Sequence, residues 1–465
     1  MEMNCREILA AVGGRLIQAG DMEKNIRRLI IDSRDVEQED FFVPLPGEKS
    51  DGHFYLADAA SRGAAGCFIR RGSDAPVPKG VVVIEVIDPL ESLQCLATFY
   101  RDRFTLPVVA VTGSTGKTTT KDLIAAVLSG RLTVLKTEGN LNNQIGVPLM
   151  LSRLDRTYTA AVLEMGMSGL GEVDLLARLA RPTVGVITNI GEAHLEMLGS
   201  RENIARAKCE LLSHLPKTGS AVVNGEEPLL TPHCKGMAAK LVTFGFTDSA
   251  TLRCVSAEAR GDEKVVRLEQ DGYPALELVM PLPGRHNISN LMAAVAVGRE
   301  VGLRNEEIKS GLANLELTGM RLETVRLKTG ITVINDAYNA SPMSVAAAID
   351  VLMEKAGNSR KIAVLGDMLE LGILEEEGHR NTGRLIAKMC LDALVLLGER
   401  AKLIAQGALE AGYPPERIHH CLSHEEAAAI TGELACTGCW ILLKGSRGMC
   451  MEKILTILSA SNREG

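Results

Sequence analysis

The sequence predicts an α/β protein of three domains: a small α/β N-terminal domain, a central phosphate-loop domain on a parallel sheet, and a C-terminal Rossmann-like, doubly wound domain. Three observations carry this reading. The length of 465 residues exceeds what one hydrophobic core organises. From Pro107 onward, short β-branched apolar runs alternate with helix-like stretches, the mark of parallel strands joined by crossover helices. Past Thr318 the alternation restarts. The expected domains are residues 1–106, 107–318 and 319–465.

The first domain opens with a helical segment. It continues through Ile30-Ile31-Asp32-Ser33-Arg34, where an apolar pair gives way to polar residues at a strand end. A second polar turn, from Leu45 to His53 and containing Asp51, follows Phe41-Phe42-Val43 and leads into a helix-like stretch from Phe54 to Arg62. Taken alone, Asp-Ser-Arg reads as a solvated turn or cap. Strands are expected at 64–69 and 81–86, and a helix from Glu91 to Tyr100 runs up to the boundary at Pro107.

In the central domain the expected strands are 107–112, 133–136, 160–165, 183–188 and 220–224, with helices at 118–128, 143–152, 172–180 and 201–215. Functional residues in such a sheet gather at the carboxyl ends of the strands, so the residues just past each strand matter most. The first strand ends in Thr112-Gly113-Ser114-Thr115-Gly116-Lys117-Thr118-Thr119. Gly113 and Gly116 allow backbone N–H groups to turn inward on a phosphate, and the following helix adds partial positive charge. Lys117 reaches the β/γ-phosphates and the Thr118 hydroxyl suits Mg²⁺. The glycine spacing departs from the general phosphate-loop pattern, because Val111 stands where the first glycine is usual.

The third strand ends at Glu164, a carboxylate after an apolar run that a bound cation would justify. The fourth ends in Thr188-Asn189-Ile190-Gly191-Glu192-Ala193-His194, which places His194 in an equivalent loop. Asn140-Leu141-Asn142-Asn143-Gln144 opens the second crossover helix with amides, Asn140 and Asn143 foremost, that either read a ligand or cap it. Lys208 lies on an amphipathic helix whose ordinary reading is a solvated face. From Lys240 to Met280 short alternating segments suggest an antiparallel extension, and Pro281-Leu282-Pro283-Gly284-Arg285-His286-Asn287 leads into a helix to Val301.

The third domain shows strands at 332–335, 361–365, 393–397 and 440–443. Its glycines from Gly366 to Gly372 do not form Gly-x-Gly-x-x-Gly, so a dinucleotide site is not expected. Lys444-Gly445-Ser446-Arg447-Gly448 offers two cations on a turn suited to an anionic substrate.

A net charge of -7 and a pI near 5.8 argue against a nucleic-acid partner, which needs a basic face. No apolar run approaches the ~18 residues of a membrane span and the N-terminus lacks a leader pattern, so the chain reads as cytoplasmic. Eleven scattered cysteines fit reduced thiols. Cys436-Thr437-Gly438-Cys439, with His419, His420, Cys421 and His424 upstream, lacks the second spaced pair of a zinc site.

This ordered set of motifs resembles the Mur ligase family over essentially the whole chain. Thr112 to Thr118 is similar to the family's Thr-Gly-x-x-Gly-Lys-Thr loop, which accounts for the unusual glycine spacing. Asn189 to His194, Gly284 to Asn287 and Lys444 to Arg447 resemble further family signatures. Asp336-Ala337-Tyr338-Asn339-Ala340-Ser341-Pro342, Leu365 to Gly372 and the two N-terminal turns look like the D-alanyl-D-alanine-adding branch, and the Asp-Asn-Pro-Arg motif of the diaminopimelate-adding branch is absent.

The resemblance implies an ATP- and Mg²⁺-dependent ligase acting on UDP-N-acetylmuramoyl-tripeptide and D-alanyl-D-alanine through an acyl phosphate, and the chain is expected to act as a monomer. It implies that Thr118 and Glu164 hold one Mg²⁺, and that His194 with a carbamoylated Lys208 holds the other. Asn287, Arg321, Asp336 and Asn339 would contact ATP beside Gly113 to Thr119. Ser33, Arg34, Asp51 and His53 would contact the uridine nucleotide, and Asn140, Asn143, Lys444, Ser446 and Arg447 other parts of the substrates. Two alternatives remain at this stage: another Mur-type or folylpolyglutamate-like ligase, and a nucleotide-dependent switch module.

Overall fold

The computed structural model describes residues 1–47, 50–260 and 263–460, and among these the strands form three sheets. The first sheet takes, in spatial order, Arg15–Gln18, Val82–Val86, Gly66–Arg70, Phe41–Phe42 and Leu29–Ile30. All pair in parallel except Arg15–Gln18, which runs antiparallel to Val82–Val86. That edge strand escapes the sequence reading because it is short and mostly exposed.

The central sheet runs Val134–Lys136, Ala160–Glu164, Val108–Thr112, Val184–Ile187, Ser220–Asn224, Lys240–Gly245, Leu252–Arg260, Glu263–Gln270 and Leu276–Val279. Val108–Thr112 is buried at every position, as a strand covered on both faces by helices must be. The antiparallel extension expected from Lys240 starts later. Lys240–Gly245 pairs in parallel with Ser220–Asn224, and antiparallel pairing begins between Leu252–Arg260 and Glu263–Gln270. A short crossover through the turn Pro228–Leu230 and helix Thr231–Cys234 restores the chain's direction, which alternation within the strand alone does not reveal.

The expected helix at 201–215 divides into Arg201–Cys209 and a 3₁₀ turn, Glu210–His214. Glu210 accepts hydrogen bonds from the N–H groups of Gly171 (2.8 Å) and Asp174 (3.1 Å), satisfying free donors at the start of the helix Glu172–Ala180.

The C-terminal sheet follows the order Glu323–Arg326, Thr332–Asn335, Trp440–Lys444, Lys361–Gly366, Ala393–Leu397 and Ile418–Cys421. Only Glu323–Arg326 pairs antiparallel within it. Ile418–Cys421 is missing from the sequence reading because Ile-His-His-Cys is half polar. His420 Nε2 lies 2.8 Å from Gly398 O and His424 Nε2 lies 2.7 Å from Met449 O, so both rings bond backbone carbonyls.

The three units are not equally separate. Side chains of the first domain and of the central sheet's lower face form one continuous core, which includes Leu93, Leu96 and Tyr100 of the helix Pro89–Arg101. The fully buried Tyr100 hydroxyl accepts the Glu2 N–H (2.9 Å) and donates to Leu154 O (2.7 Å), and Arg101 Nε donates to Ala180 O (3.0 Å). The C-terminal sheet has cores of its own on its two faces.

Replacing Tyr100 with Phe strands the buried Leu154 carbonyl at the seam. The expected cost is about 1–3 kcal/mol, lowering the melting transition of the fused N-terminal and central unit by about 2–4 °C per kcal/mol in scanning calorimetry. An unchanged transition would show that the hydroxyl does not hold the seam.

Candidate active site

The carboxyl ends of the central and C-terminal sheets line one cleft of about 590 Å³. Its floor is the phosphate loop between Val108–Thr112 and the helix Lys117–Ser129. Gly113 has φ +150°, and a Cβ there would fall 1.9 Å from Thr188 Oγ1. That hydroxyl donates to Thr115 O at 2.7 Å. At Gly116, φ is +76° and a Cβ would meet Asn290 Oδ1 at 2.7 Å. The Asn189 amide accepts the Thr115 N–H (2.9 Å) and donates to Thr115 Oγ1 (2.9 Å), so the end of the neighbouring strand fixes the loop. Ser114 Oγ lines the cleft, buried and with no hydrogen-bond partner among the described residues.

Lys117 Nζ donates to Gly113 O at 2.9 Å. Burial lowers its pKa, the Glu164 carboxylate opposes that shift, and the Arg321 guanidinium adds to it. Thr118 Oγ1 donates to Glu164 Oε2 (2.7 Å), and Asn142 Nδ2 donates to Glu164 Oε1 (2.9 Å). A buried carboxylate beside a hydroxyl and an amide is a hard-oxygen set that fits Mg²⁺, an ion that takes one or two carboxylates and completes its shell with phosphates and water. Among the described residues no three His, Cys, Asp or Glu side chains gather into an all-protein cage.

His194, at φ +66°, places Nδ1 3.3 Å from Glu370 Oε2 on the C-terminal domain. This hydrogen bond holds the Glu370 carboxyl below its ordinary range. Lys208 departs from its ordinary reading: it is buried rather than on a solvated face, although it does not line the cleft. Burial pushes its pKa well below that of a free lysine, and repulsion from Lys117 adds to the shift.

From the C-terminal side, Arg321 enters the cleft with its guanidinium 4.2 Å from the centre of the Tyr338 ring. Asp336 accepts the Leu322 N–H at 3.2 Å through Oδ1 and pairs with Lys444 through Oδ2. Lys444 also donates to Asn339 O at 3.0 Å.

The expected pair of cations on a turn is therefore corrected. Lys444 ends a strand, buried and neutralised, while the exposed Arg447 pairs with Glu452 at 2.9 Å. Ser446 Oγ accepts the Leu369 N–H at 2.8 Å and lies away from the cleft lining. Asn287 lines the cleft, but its amide bonds Pro283 O (2.7 Å) and Asn290 (2.9 Å). Asn339 and Thr119 also line it. Of the crossover amides, Asn143 lines the cleft while its Oδ1 caps the helix Gly146–Leu151 through the N–H of Gly146 (2.9 Å), and Asn140 lies off the lining. Asn142, which the sequence does not single out, is the one that reaches Glu164. Three amides within four residues give no sequence signal of which one points inward.

The residues expected to contact a uridine nucleotide lie in the first domain, off this cleft. Arg34 pairs with Asp32 at 2.6 Å and holds its carboxyl down at about 2. Ser33 is buried, with its side chain bonded to Asp58. His53 is also buried. Its Nδ1 lies 2.6 Å from Asp51 Oδ1 and its Nε2 accepts the Arg70 N–H at 3.0 Å, so both ring nitrogens are already engaged. Residues 48 and 49 of that turn lie outside the described residues.

A phosphate-loop domain joined across a cleft to a doubly wound domain matches two family models: Mur ligase middle domain over residues 111–298, and Mur ligase, glutamate ligase domain over residues 320–447. The chain belongs to the Mur ligase family. It is 40% identical to the UDP-N-acetylmuramoyl-tripeptide--D-alanyl-D-alanine ligase of Bacillus subtilis over 98% of each chain, and 33% identical to that of Escherichia coli over 92% of each. Among solved structures, MurF from Acinetobacter baumannii superposes with a TM-score of 0.89 at 30% identity, covering 99% of both chains. MurF ligase from Thermotoga maritima in complex with ADP gives 0.81 at 27% identity, covering 94% of this chain and 98% of that one.

Asp336→Ala leaves the Lys444 ammonium buried without its carboxylate. The C-terminal domain is expected to lose about 3 kcal/mol, read from denaturant unfolding, and Asp336→Ala with Lys444→Met is expected to recover most of that loss. Equal stability of the single and double variants would show that the pair is not what holds this edge of the cleft.

Proposed function

We propose that this chain is an ATP-dependent amide ligase that joins D-alanyl-D-alanine to UDP-N-acetylmuramoyl-tripeptide, releasing ADP and phosphate. The observation that carries this is 40% identity to the Bacillus subtilis ligase over 98% of each chain, in a fold whose phosphate loop and C-terminal cations share one cleft. In this reading residues 1–106 take the uridine nucleotide, 107–318 take ATP and 319–465 close over both.

The tripeptide carboxylate attacks the γ-phosphorus of ATP, giving an acyl phosphate and ADP, and the dipeptide amine then displaces phosphate. Such a reaction asks the protein mainly to position charged groups and offset their charge. The loop N–H groups and Lys117 cradle the phosphates, with Ser114 Oγ free to donate. Arg321 approaches from the opposite wall, and Asn287, Asp336 and Asn339 would contact ATP beside it. Thr118 and Glu164 would hold one Mg²⁺ and His194 with Lys208 a second, each ion supplying electrostatic stabilisation of the phosphoryl group when bound.

Lys208 serves this role only as a carbamate, since an ammonium has no lone pair to offer. Its setting favours that chemistry: burial and the repulsion of Lys117 raise the fraction of neutral amine, the form that adds CO₂ with loss of a proton. Closure of the C-terminal domain would exclude water from the acyl phosphate. One chain lines both walls of the cleft, so a monomer suffices, and the nucleotide substrates place the reaction in the cytoplasm. Among the described residues no helix is long and apolar enough to cross a membrane. The folylpolyglutamate reading rests on fold alone, as the Mycobacterium tuberculosis synthase shares 18% identity at a TM-score of 0.64.

Phosphate release is expected only when ATP, Mg²⁺, the muramoyl tripeptide and D-alanyl-D-alanine are all present. Turnover with a single amino acid and none with the dipeptide would assign a different ligase. Lys117→Ala is expected to lower kcat by at least about 10²-fold, and wild-type turnover in that variant would remove the phosphate-loop role. Lys208→Arg keeps the positive charge but cannot carry the carbamate; it should lose turnover while retaining its fold by circular dichroism, and an active variant would refute the carbamate.

A further inference from the structure

The helix Lys117–Ser129 carries a buried ion pair that the phosphoryl chemistry does not use. Lys121 and Asp122 are almost fully buried, and neither lines the cleft. Lys121 Nζ donates to Thr137 O (2.9 Å) and Thr318 Oγ1 (3.1 Å) and lies 3.1 Å from Asp122 Oδ1. Asp122 Oδ2 accepts the Thr318 N–H at 2.8 Å. Lys136, 3.3 Å from Asp122 Oδ1, donates to Glu316 O at 3.0 Å. All three side chains converge on residues 316–318, where the chain leaves the central domain. Burying charges is costly, and a surface segment does not need them to stay put.

The segment beyond Thr318 accounts for the arrangement. A Cβ at Gly319 would meet nothing within 4 Å. Past that glycine, the segment's hydrogen bonds go the other way: Met320 N–H to Glu323 Oε2 (3.2 Å), Tyr338 N–H to Met320 O (3.3 Å) and Leu322 N–H to Asp336 Oδ1 (3.2 Å). Met320 and Leu322 sit at φ +59° and +51°, a conformation that costs a bulky L-residue energy and persists only where neighbours enforce it. Between them stands Arg321, whose Nε is buried with no hydrogen-bond partner among the described residues. The chain thus changes allegiance at a single glycine, with a charged clamp on one side and a strained arginine holder on the other.

We propose that Lys121 and Asp122 are positioning residues for Arg321. By fixing Thr318 to the first turns of the phosphate-loop helix, they set the point from which Gly319–Leu322 departs, and so tie the loop's geometry to the placement of the guanidinium in the cleft. The inference rests on the nucleotide reading of that cleft, and its test separates the two.

The test is a double-mutant cycle on ADP affinity, measured by titration calorimetry on the full chain. Asp122→Asn and Thr318→Val are each expected to weaken ADP binding about fivefold to tenfold in the wild-type background, and less than about twofold once Arg321 is Ala. Thr318→Val swaps side chains of similar shape at a half-buried site and carries the cycle if Asp122→Asn fails to fold. Losses that add in the Arg321→Ala background, or no loss in either single variant, would overturn the positioning role. Absence of ADP binding by the wild type would overturn the nucleotide reading and the proposal with it, whereas ADP binding without turnover on the tripeptide and dipeptide would sink only the ligase assignment.

Discussion

The cleft depends on there being no side chain at position 113. The Thr188 hydroxyl occupies the space a Cβ would need there, and the same hydroxyl holds the Thr115 carbonyl, so loop and neighbouring strand are shaped by one steric fact. Thr188 is brought there by strand register: Val111 pairs with Val186 and Thr112 with Ile187, which carries the next residue alongside Gly113. The inward-facing loop, the site of Lys117 and the contact between Thr118 and Glu164 are geometric consequences of that placement.

A second constraint is electrostatic. The chain carries a net charge of -7, yet its cleft gathers Lys117, Arg321 and Lys444, with Lys208 behind. Lys444 has Asp336 within reach, whereas Lys117 and Lys208 repel one another in surroundings that solvate neither well. Overall acidity and local basicity are not in conflict, because local donors bind the ligand while the rest of the surface stays acidic.

Much of this is legible in the residues alone. The central strands and helices emerge within a residue or two at most ends, because buried parallel strands are written as unbroken β-branched runs, as in Val108–Thr112. The phosphate loop and Glu164 are visible for the same reason: polar residues that abruptly follow such runs stand out. Illegible are the features decided by direction rather than by residue type. Asn140, Asn142 and Asn143 are equivalent as letters, yet only Asn142 meets Glu164. Lys208 reads as solvated from its helix and is buried by the elements packed over it, and Lys444 looks free until Asp336, 108 residues away, is placed beside it. Ile418–Cys421 and Arg15–Gln18 lack the apolar content that marks a strand and owe their conformation to their sheet neighbours.

The continuous core beneath the first two domains bears on how this protein can be rebuilt. A cut at residue 106 looks natural in the sequence, but Leu93, Leu96 and Tyr100 belong physically to both sides of it. A chimera that exchanges residues 1–106 for those of a relative would import a foreign half of a packed interior, and its new interface would need repacking before any exchange of substrate preference became visible. The C-terminal domain encloses its own cores, yet it meets the central domain through His194 with Glu370 and Lys264 with Glu354, so an exchange there has fewer contacts to carry over but must still preserve them.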